Sequence, residues 1–231
     1  MTTLYVRRDE LDPLPYDAQW PSLRSATGRV DIHSLAAFWV RESKLEGTYL
    51  EFGVGAGRSA IAAVRANTRY NAEAVKSFFL FDSFEGLPPL RGPDAGSAQF
   101  QEGQFAFSQE DVLARFHQHG VSVERLHLVP GFYEKSLARF DVSRFHGKKA
   151  AIVHIDVDLY TSAAVVLRFL TPFLQEGTVL LFDDWNTFTA RWSQGERRAT
   201  REWIEEHPHL TLESYAKYGW HGEAFLVQMS A

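Results

Sequence analysis

The chain contains no cysteine among its 231 residues. That absence excludes disulfides, thiolate metal ligands and a cysteine nucleophile together, and it fits a reducing, cytoplasmic location. Positive charge is not in surplus either. The formal net charge is −5, whereas a nucleic-acid-binding face is usually basic, so nucleic acid is not an expected partner. The cluster Arg197, Arg198 and Arg201 is interrupted by Glu196 and Glu202 and reads as a solvated helix face. Long uncharged apolar runs are also missing. The best candidate, 163–174, is broken by Arg168 and Pro172, so no membrane partner is expected. Residues 1–15 carry Arg7, Arg8, Asp9 and Glu10 with no apolar stretch, so no secretory leader is expected. Histidines at zinc-helix spacing are lacking: His117 and His119, like His207 and His209, are separated by a single residue.

What is present is a hydrophobic fraction of 45%, enough for a sizeable core. Residues 1–28, with Pro13, Pro15 and Pro21, read as an N-terminal arm, and 29–231 as one domain without internal repeats. Strand and helix patterns alternate along that domain. Helical spacing covers 31–45, where Ile32, Leu35, Phe38 and Trp39 make an apolar stripe and Gly47 is the expected stop. Further helices are expected at 59–67, 109–119, 162–174 (closed by Gly177) and 199–206. Strands are expected at 48–50, 77–81, 125–129, 150–155 and 178–182. Two last strands, 210–218 and 223–228, flank a turn at 219–222. The alternation predicts an α/β fold, a doubly wound Rossmann-like sheet that is mostly parallel and ends in an antiparallel hairpin. A long Gly- and Pro-rich segment, 84–107, interrupts it. A loop of that length in a compact domain is usually functional or mobile.

Two features carry chemistry. The first is the turn Glu51-Phe52-Gly53-Val54-Gly55-Ala56-Gly57-Arg58-Ser59 between a strand and a helix. A dinucleotide fingerprint, G-x-G-x-x-G, would place its third glycine at 58, where this chain has Arg58. If the cofactor is S-adenosylmethionine, the turn has no pyrophosphate to hold, and the cofactor's ammonium would instead favour a carboxylate such as Glu51. Asp82 ends the next strand, about where an acid takes ribose hydroxyls. The competing reading is that the glycines only let the chain turn tightly and that Asp82 opens the following turn.

The second feature is a pair of acidic doublets at two strand ends, Asp156/Asp158 and Asp183/Asp184. Side chains alternate along a strand, so Asp156 and Asp158 share a face. If the two strands are neighbours, their ends lie ~5 Å apart. Carboxylates gathered there are costly without a cation, and an all-oxygen set suits Mg2+. The alternative is that these aspartates cap helices. Thr161 and Ser162 already offer a cap for the next helix, which favours a metal site at Asp156, Asp183 and Asp184. His154 faces the same way but deeper, and reads as a core histidine rather than a base. A nicotinamide-dependent oxidoreductase and a binding protein without catalysis are the rival functions; the glycine spacing and the acidic doublets count against them.

The phrases from Glu51 to Ser59, Phe81-Asp-Ser-Phe-Glu-Gly-Leu-Pro-Pro89, Gly103-Gln-Phe105, His154-Ile-Asp-Val-Asp-Leu-Tyr160 and Phe182-Asp-Asp184 occur together and in order. From about Glu46 onward the chain resembles the macrocin O-methyltransferase family, whose members methylate sugar hydroxyls of macrolides and related antibiotics. The resemblance implies a class I methyltransferase fold with S-adenosylmethionine as donor. It implies Mg2+ on Asp156, Asp183 and Asp184, and Asp158 as the base. The donor would be bound by Glu51, Gly53, Val54, Gly55, Gly57, Arg58 and Ser59, together with Asp82, Ser83, Phe84 and Gly86. The acceptor would be a small molecule, a glycosylated natural product or another small-molecule hydroxyl such as a catechol. Homodimers or higher assemblies are common among such relatives.

Overall fold

A computed structural model describes residues 31–71 and 74–230; the expected arm at 1–28 lies outside the described residues. Seven strands form one sheet: β1 Gly47–Phe52, β2 Val75–Asp82, β3 Leu126–Pro130, β4 Ala150–Ile155, β5 Val179–Phe182, β6 Leu210–Tyr218 and β7 Gly222–Met229. Their order is β3-β2-β1-β4-β5-β7-β6. The first five are parallel, and β7 runs antiparallel to both β5 and β6. This is the expected mostly parallel sheet with its closing hairpin. The helices are α1 Ile32–Glu42, α2 Arg58–Asn71, α3 Gln109–Gln118, α4 Tyr133–Arg139, α5 Tyr160–Leu170 and α6 Gly195–Glu206.

The central strands are apolar without alternation because both of their faces are covered. Every residue of β1 and of β4 is buried. On one face Phe52, Phe79, Phe81 and Phe182 meet residues of α4, α5 and α6, including Leu137, Val166, Leu167 and Trp203. On the other, Tyr49, Phe78, Leu80 and Ile152 meet α1, α2 and α3 through Ile32, Ala60, Val112 and Phe116. Each fully buried Phe contributes roughly 1.5–3 kcal/mol of burial free energy. The result is a helix–sheet–helix sandwich whose strand order reverses between β1 and β4. That crevice, at the carboxyl edge, is where such sheets take ligands.

Three local expectations are corrected. Gly47 does not stop a helix: α1 ends at Glu42 and Gly47 opens β1. A side chain there would put Cβ 2.5 Å from the Lys149 carbonyl oxygen, so glycine is required by the approach of β4. The helix expected at 162–174 begins earlier, at Tyr160, and gives way to a 3-10 turn at Thr171–Phe173, since Pro172 has no N–H with which to continue it. Helix α4 was not expected at all. Its seven residues are too short and too polar to show a clear apolar period.

The long segment 84–107 is fastened rather than free. Leu87 N donates to Gln104 O and Gly103 N to Leu87 O, both at 2.9 Å. Gly86 makes that clasp possible, because a Cβ there would lie 2.5 Å from Gly103 O. Among the described residues no helix is long and apolar enough to cross a membrane.

Candidate active site

The glycine turn follows β1 directly. Gly53 has φ +88° and its Cβ position falls 1.7 Å from the Asp156 carbonyl oxygen. No side chain fits between the ends of β1 and β4. Asp82, at the end of β2, ties the turn from the side. Its Oδ2 accepts from Val54 N (2.7 Å) and Gly55 N (3.0 Å), and its Oδ1 from Phe84 N (2.7 Å). Glu51 is buried beneath the turn, where it accepts from Tyr49 Oη (2.6 Å) and Ser59 Oγ (2.7 Å). Burial favours its neutral form, but His154 and these donors outweigh burial and hold its carboxyl below the usual range.

At the acidic edge β4 and β5 are parallel neighbours, with Ile155 opposite Phe182. One carboxylate oxygen each from Asp156, Asp158 and Asp184 lie within 4.8 Å of one another. Asp158 sits in the left-handed region at φ +58°. Burial first, then the Asp184 charge, pushes the Asp158 carboxyl up to about 9. Asp156 is also raised well above the carboxylate range, by burial and by Asp183 and Asp184. Asp184 Oδ1 accepts from Thr187 Oγ1 at 2.9 Å, while its Oδ2 is buried with no partner. Asp183 lies outside this group of three. Its carboxylate is 3.8 Å from His221 Nδ1 and 4.0 Å from His154 Nε2.

The expectation that Thr161 and Ser162 cap the next helix is corrected, although the four aspartates of the acidic edge do not cap α5 or α6 either. The expected caps Thr161 and Ser162 lie inside α5, whose N-cap, Leu159, has no capping side chain. Its first N–H groups go instead to Asp94, from the middle of the long loop. The N-cap of α6, Gln194, likewise makes no side-chain bond. His154 is buried as expected, but lies between Glu51 (3.9 Å) and Asp183 (4.0 Å) with its ring edge toward His33. Burial disfavours its charge, yet Glu51 and the aspartates together raise its proton affinity.

Both features open into one cavity of about 640 Å³. Of the expected residues, Gly53, Val54, Gly55, Arg58, Ser59, Asp82, Ser83, Gly86, Asp156, Asp158, Asp183 and Asp184 line it. Glu51, Gly57 and Phe84 do not. Glu51 supports the turn from below, a Cβ on Gly57 would crowd Phe116 of α3 at 3.1 Å, and Phe84 packs into the core. Other lining residues escaped the sequence reading. Tyr133 comes from the unexpected α4. Trp220 and His221 come from the hairpin turn, where Asn186 N donates to His221 O (2.8 Å) and His221 Nδ1 meets Asp183 O. Glu196, buried at the start of α6, accepts from Asp184 N at 3.1 Å. Burial and Asp184 keep its carboxyl well above the usual range. The only sequence signal for the hairpin residues is that Gly219 and Gly222 bracket two aromatic rings.

The glycine turn and the acidic edge thus share one cavity across the β1/β4 switch point, where such sheets take ligands. Residues 15–208 match the model of the macrocin O-methyltransferase family, and the chain belongs to that family. It is 28% identical over 193 residues, spanning 80% of this chain and 71% of the relative, to 8-demethyl-8-(2,3-dimethoxy-alpha-L-rhamnosyl)-tetracenomycin-C 4'-O-methyltransferase of Streptomyces olivaceus. In fold it is similar to the O-methyltransferase NovP, with TM-score 0.68 and 18% identity over 85% of this chain and 78% of that one. It is also similar to the calicheamicin methyltransferase CalS11, with TM-score 0.65 and 18% identity over 95% and 80%. An O-methyltransferase from Bacillus cereus, solved with S-adenosylhomocysteine, matches with TM-score 0.55 and 12% identity over 85% and 80%.

Proposed function

We infer that this O-methyltransferase moves a methyl group from S-adenosylmethionine to a sugar hydroxyl of a glycosylated small molecule with the help of Mg2+. The supporting observation is the opening of the acidic edge and the glycine turn into one cavity. The tetracenomycin-glycoside relative supports a sugar acceptor. Residues 29–231 act as one methyltransferase domain in this reading.

The residues present suit a hard cation. Three carboxylates converge, all donors are oxygen, and a buried Asp184 oxygen lacks any partner. Asp156 and Asp184 would hold Mg2+ directly. Asp183 as a third ligand is supported by its place at the same strand end and by the family resemblance; its carboxylate is not one of the three that converge. A bound Mg2+ lowers the proton affinity of a coordinated hydroxyl. Asp158 would then take the proton: it faces the cavity beside Asp156 and Asp184. The glycine turn and the 82–86 segment hold the donor so that its methyl group faces the acceptor oxygen. Alignment of the two reactants is the chain's main contribution, since no covalent intermediate is needed.

Calorimetric titration with S-adenosylhomocysteine, with and without Mg2+ and with NAD+ as control, tests this reading. Binding of S-adenosylhomocysteine and not of NAD+ is expected. Absence of S-adenosylhomocysteine binding under both conditions would remove the methyl donor from the account.

A further inference from the structure

One buried carboxylate has no part in the chemistry above. Asp94 belongs to the 3-10 turn Gly92–Asp94 in the middle of the long loop, and it is 7% exposed. Its Oδ1 accepts from Tyr160 N at 2.9 Å. Its Oδ2 accepts from Thr161 N at 2.9 Å and from Thr161 Oγ1 at 2.6 Å. These are the first residues of α5, which starts two residues after Asp158. A helix start leaves N–H groups unsatisfied and carries partial positive charge, so a carboxylate is held there by both effects. Leu159, at the N-cap position, contributes no side-chain bond of its own.

The loop that Asp94 fastens supplies one wall of the cavity through Gln99, Phe100, Gln104 and Phe105. Phe100 also meets Phe188 with ring centroids 5.5 Å apart, which closes the loop against the segment that follows Asp184. The clasp at Leu87, Gly103 and Gln104 fixes the loop's two ends to each other. The three bonds of Asp94 tie the stretch between those ends to the helix behind the acidic edge.

Resting on the function inferred above, we propose that Asp94 is a positioning residue: by capping α5 from the loop, it fixes the acceptor-side wall of the cavity relative to Asp156 and Asp158. It touches neither donor nor acceptor. Its removal is therefore felt in acceptor binding and alignment and not in donor affinity.

Asp94→Ala, Asp94→Asn and Thr161→Val form a graded series. The alanine variant removes all three bonds, the amide keeps the shape and loses the charge, and the valine variant removes the 2.6 Å bond alone. Each is compared with the native chain at a temperature where circular dichroism shows it folded. The first readout is amide hydrogen exchange. In Asp94→Ala, peptides covering 99–107 and 159–163 are expected to exchange about tenfold faster or more, with the glycine turn unchanged. The second is affinity for S-adenosylhomocysteine, expected within about twofold of native. The third is methyl transfer to p-nitrophenyl α-L-rhamnoside, where the acceptor KM is expected to rise about tenfold or more and kcat to fall less. If Asp94→Ala does not fold, the order native, Thr161→Val, Asp94→Asn in exchange rate carries the test. A lowered melting temperature with unchanged exchange at 99–107 overturns the proposal, because a merely structural cap would give that result. If the native chain methylates no rhamnoside, the loss falls on the sugar-acceptor reading, and the exchange data alone decide the role of Asp94.

Discussion

The two halves of the cavity treat charge in opposite ways. On the glycine side every carboxylate is answered from within the protein: Asp82 by three backbone N–H groups, Glu51 by Tyr49 and Ser59. On the acidic side Asp156, Asp158 and Asp184 face one another, and one Asp184 oxygen has no partner. Hydrogen-bonded anions hold their geometry without help, while clustered ones are held at a cost that protonation or a cation relieves. The comparison teaches that the glycine side is pre-formed and that the acidic side carries a cost that a cation would relieve.

The comparison is broken hardest at Asp158. Asp158→Asn keeps the shape and removes the proposed base. Turnover is expected to fall about a thousandfold or more in single-turnover assays, with S-adenosylhomocysteine affinity unchanged. Retained activity would remove Asp158 from the chemistry. Gly53→Ala comes next. A methyl group 1.7 Å from the Asp156 carbonyl oxygen, at φ +88°, forces β1 and β4 apart. A stability loss of about 3 kcal/mol or more is expected in urea unfolding. A normal unfolding midpoint would show that the strand ends yield freely.

Asp82→Ala unsatisfies three N–H groups of the pre-formed side. A loss of roughly 1–3 kcal/mol is expected, together with weaker S-adenosylhomocysteine binding. Its effect should not depend on Mg2+, whereas that of Asp184→Asn should. The acidic side is sharpened by pH. The Asp158 carboxyl is raised in the folded chain to about 9 from an ordinary value of 3.8. Its contribution to stability is therefore fully present below the ordinary value and is lost as pH rises through the folded one. Mg2+ is expected to raise the melting temperature more at pH 8.5 than at pH 6. An equal rise at both would detach the ion from this cluster. The smallest effect is expected from Asp183→Ala, which should weaken Mg2+ dependence modestly. An unchanged titration would leave the ligand set to Asp156 and Asp184.

The fold was largely legible because the buried strands are short apolar runs punctuated by glycine and aspartate, as in 77–82 and 150–156. Helix α4 was not, since its stability comes from packing rather than from period. At the site, residue type and strand-end position announced Asp156, Asp158 and Asp184. They did not announce that Glu51 is spent beneath the turn, because its partners Tyr49 and Ser59 are visible only once β1 and α2 are packed. Asp94 and Glu196 were illegible for the same reason. Each acts on a segment distant in sequence, Asp94 on Tyr160 and Thr161, and Glu196 on Asp184. The hairpin residues Trp220 and His221 enter the cavity through the β5–β7 pairing, which no local pattern encodes.

The most direct test of the contrast is a calorimetric titration of Mg2+ into the native chain at pH 8, repeated with Asp156→Asn and Asp184→Asn. The account predicts one ion per chain in the native protein and loss of that binding in both variants, with S-adenosylhomocysteine still bound. Absence of ion binding in the native chain, or binding that survives both substitutions, would contradict it.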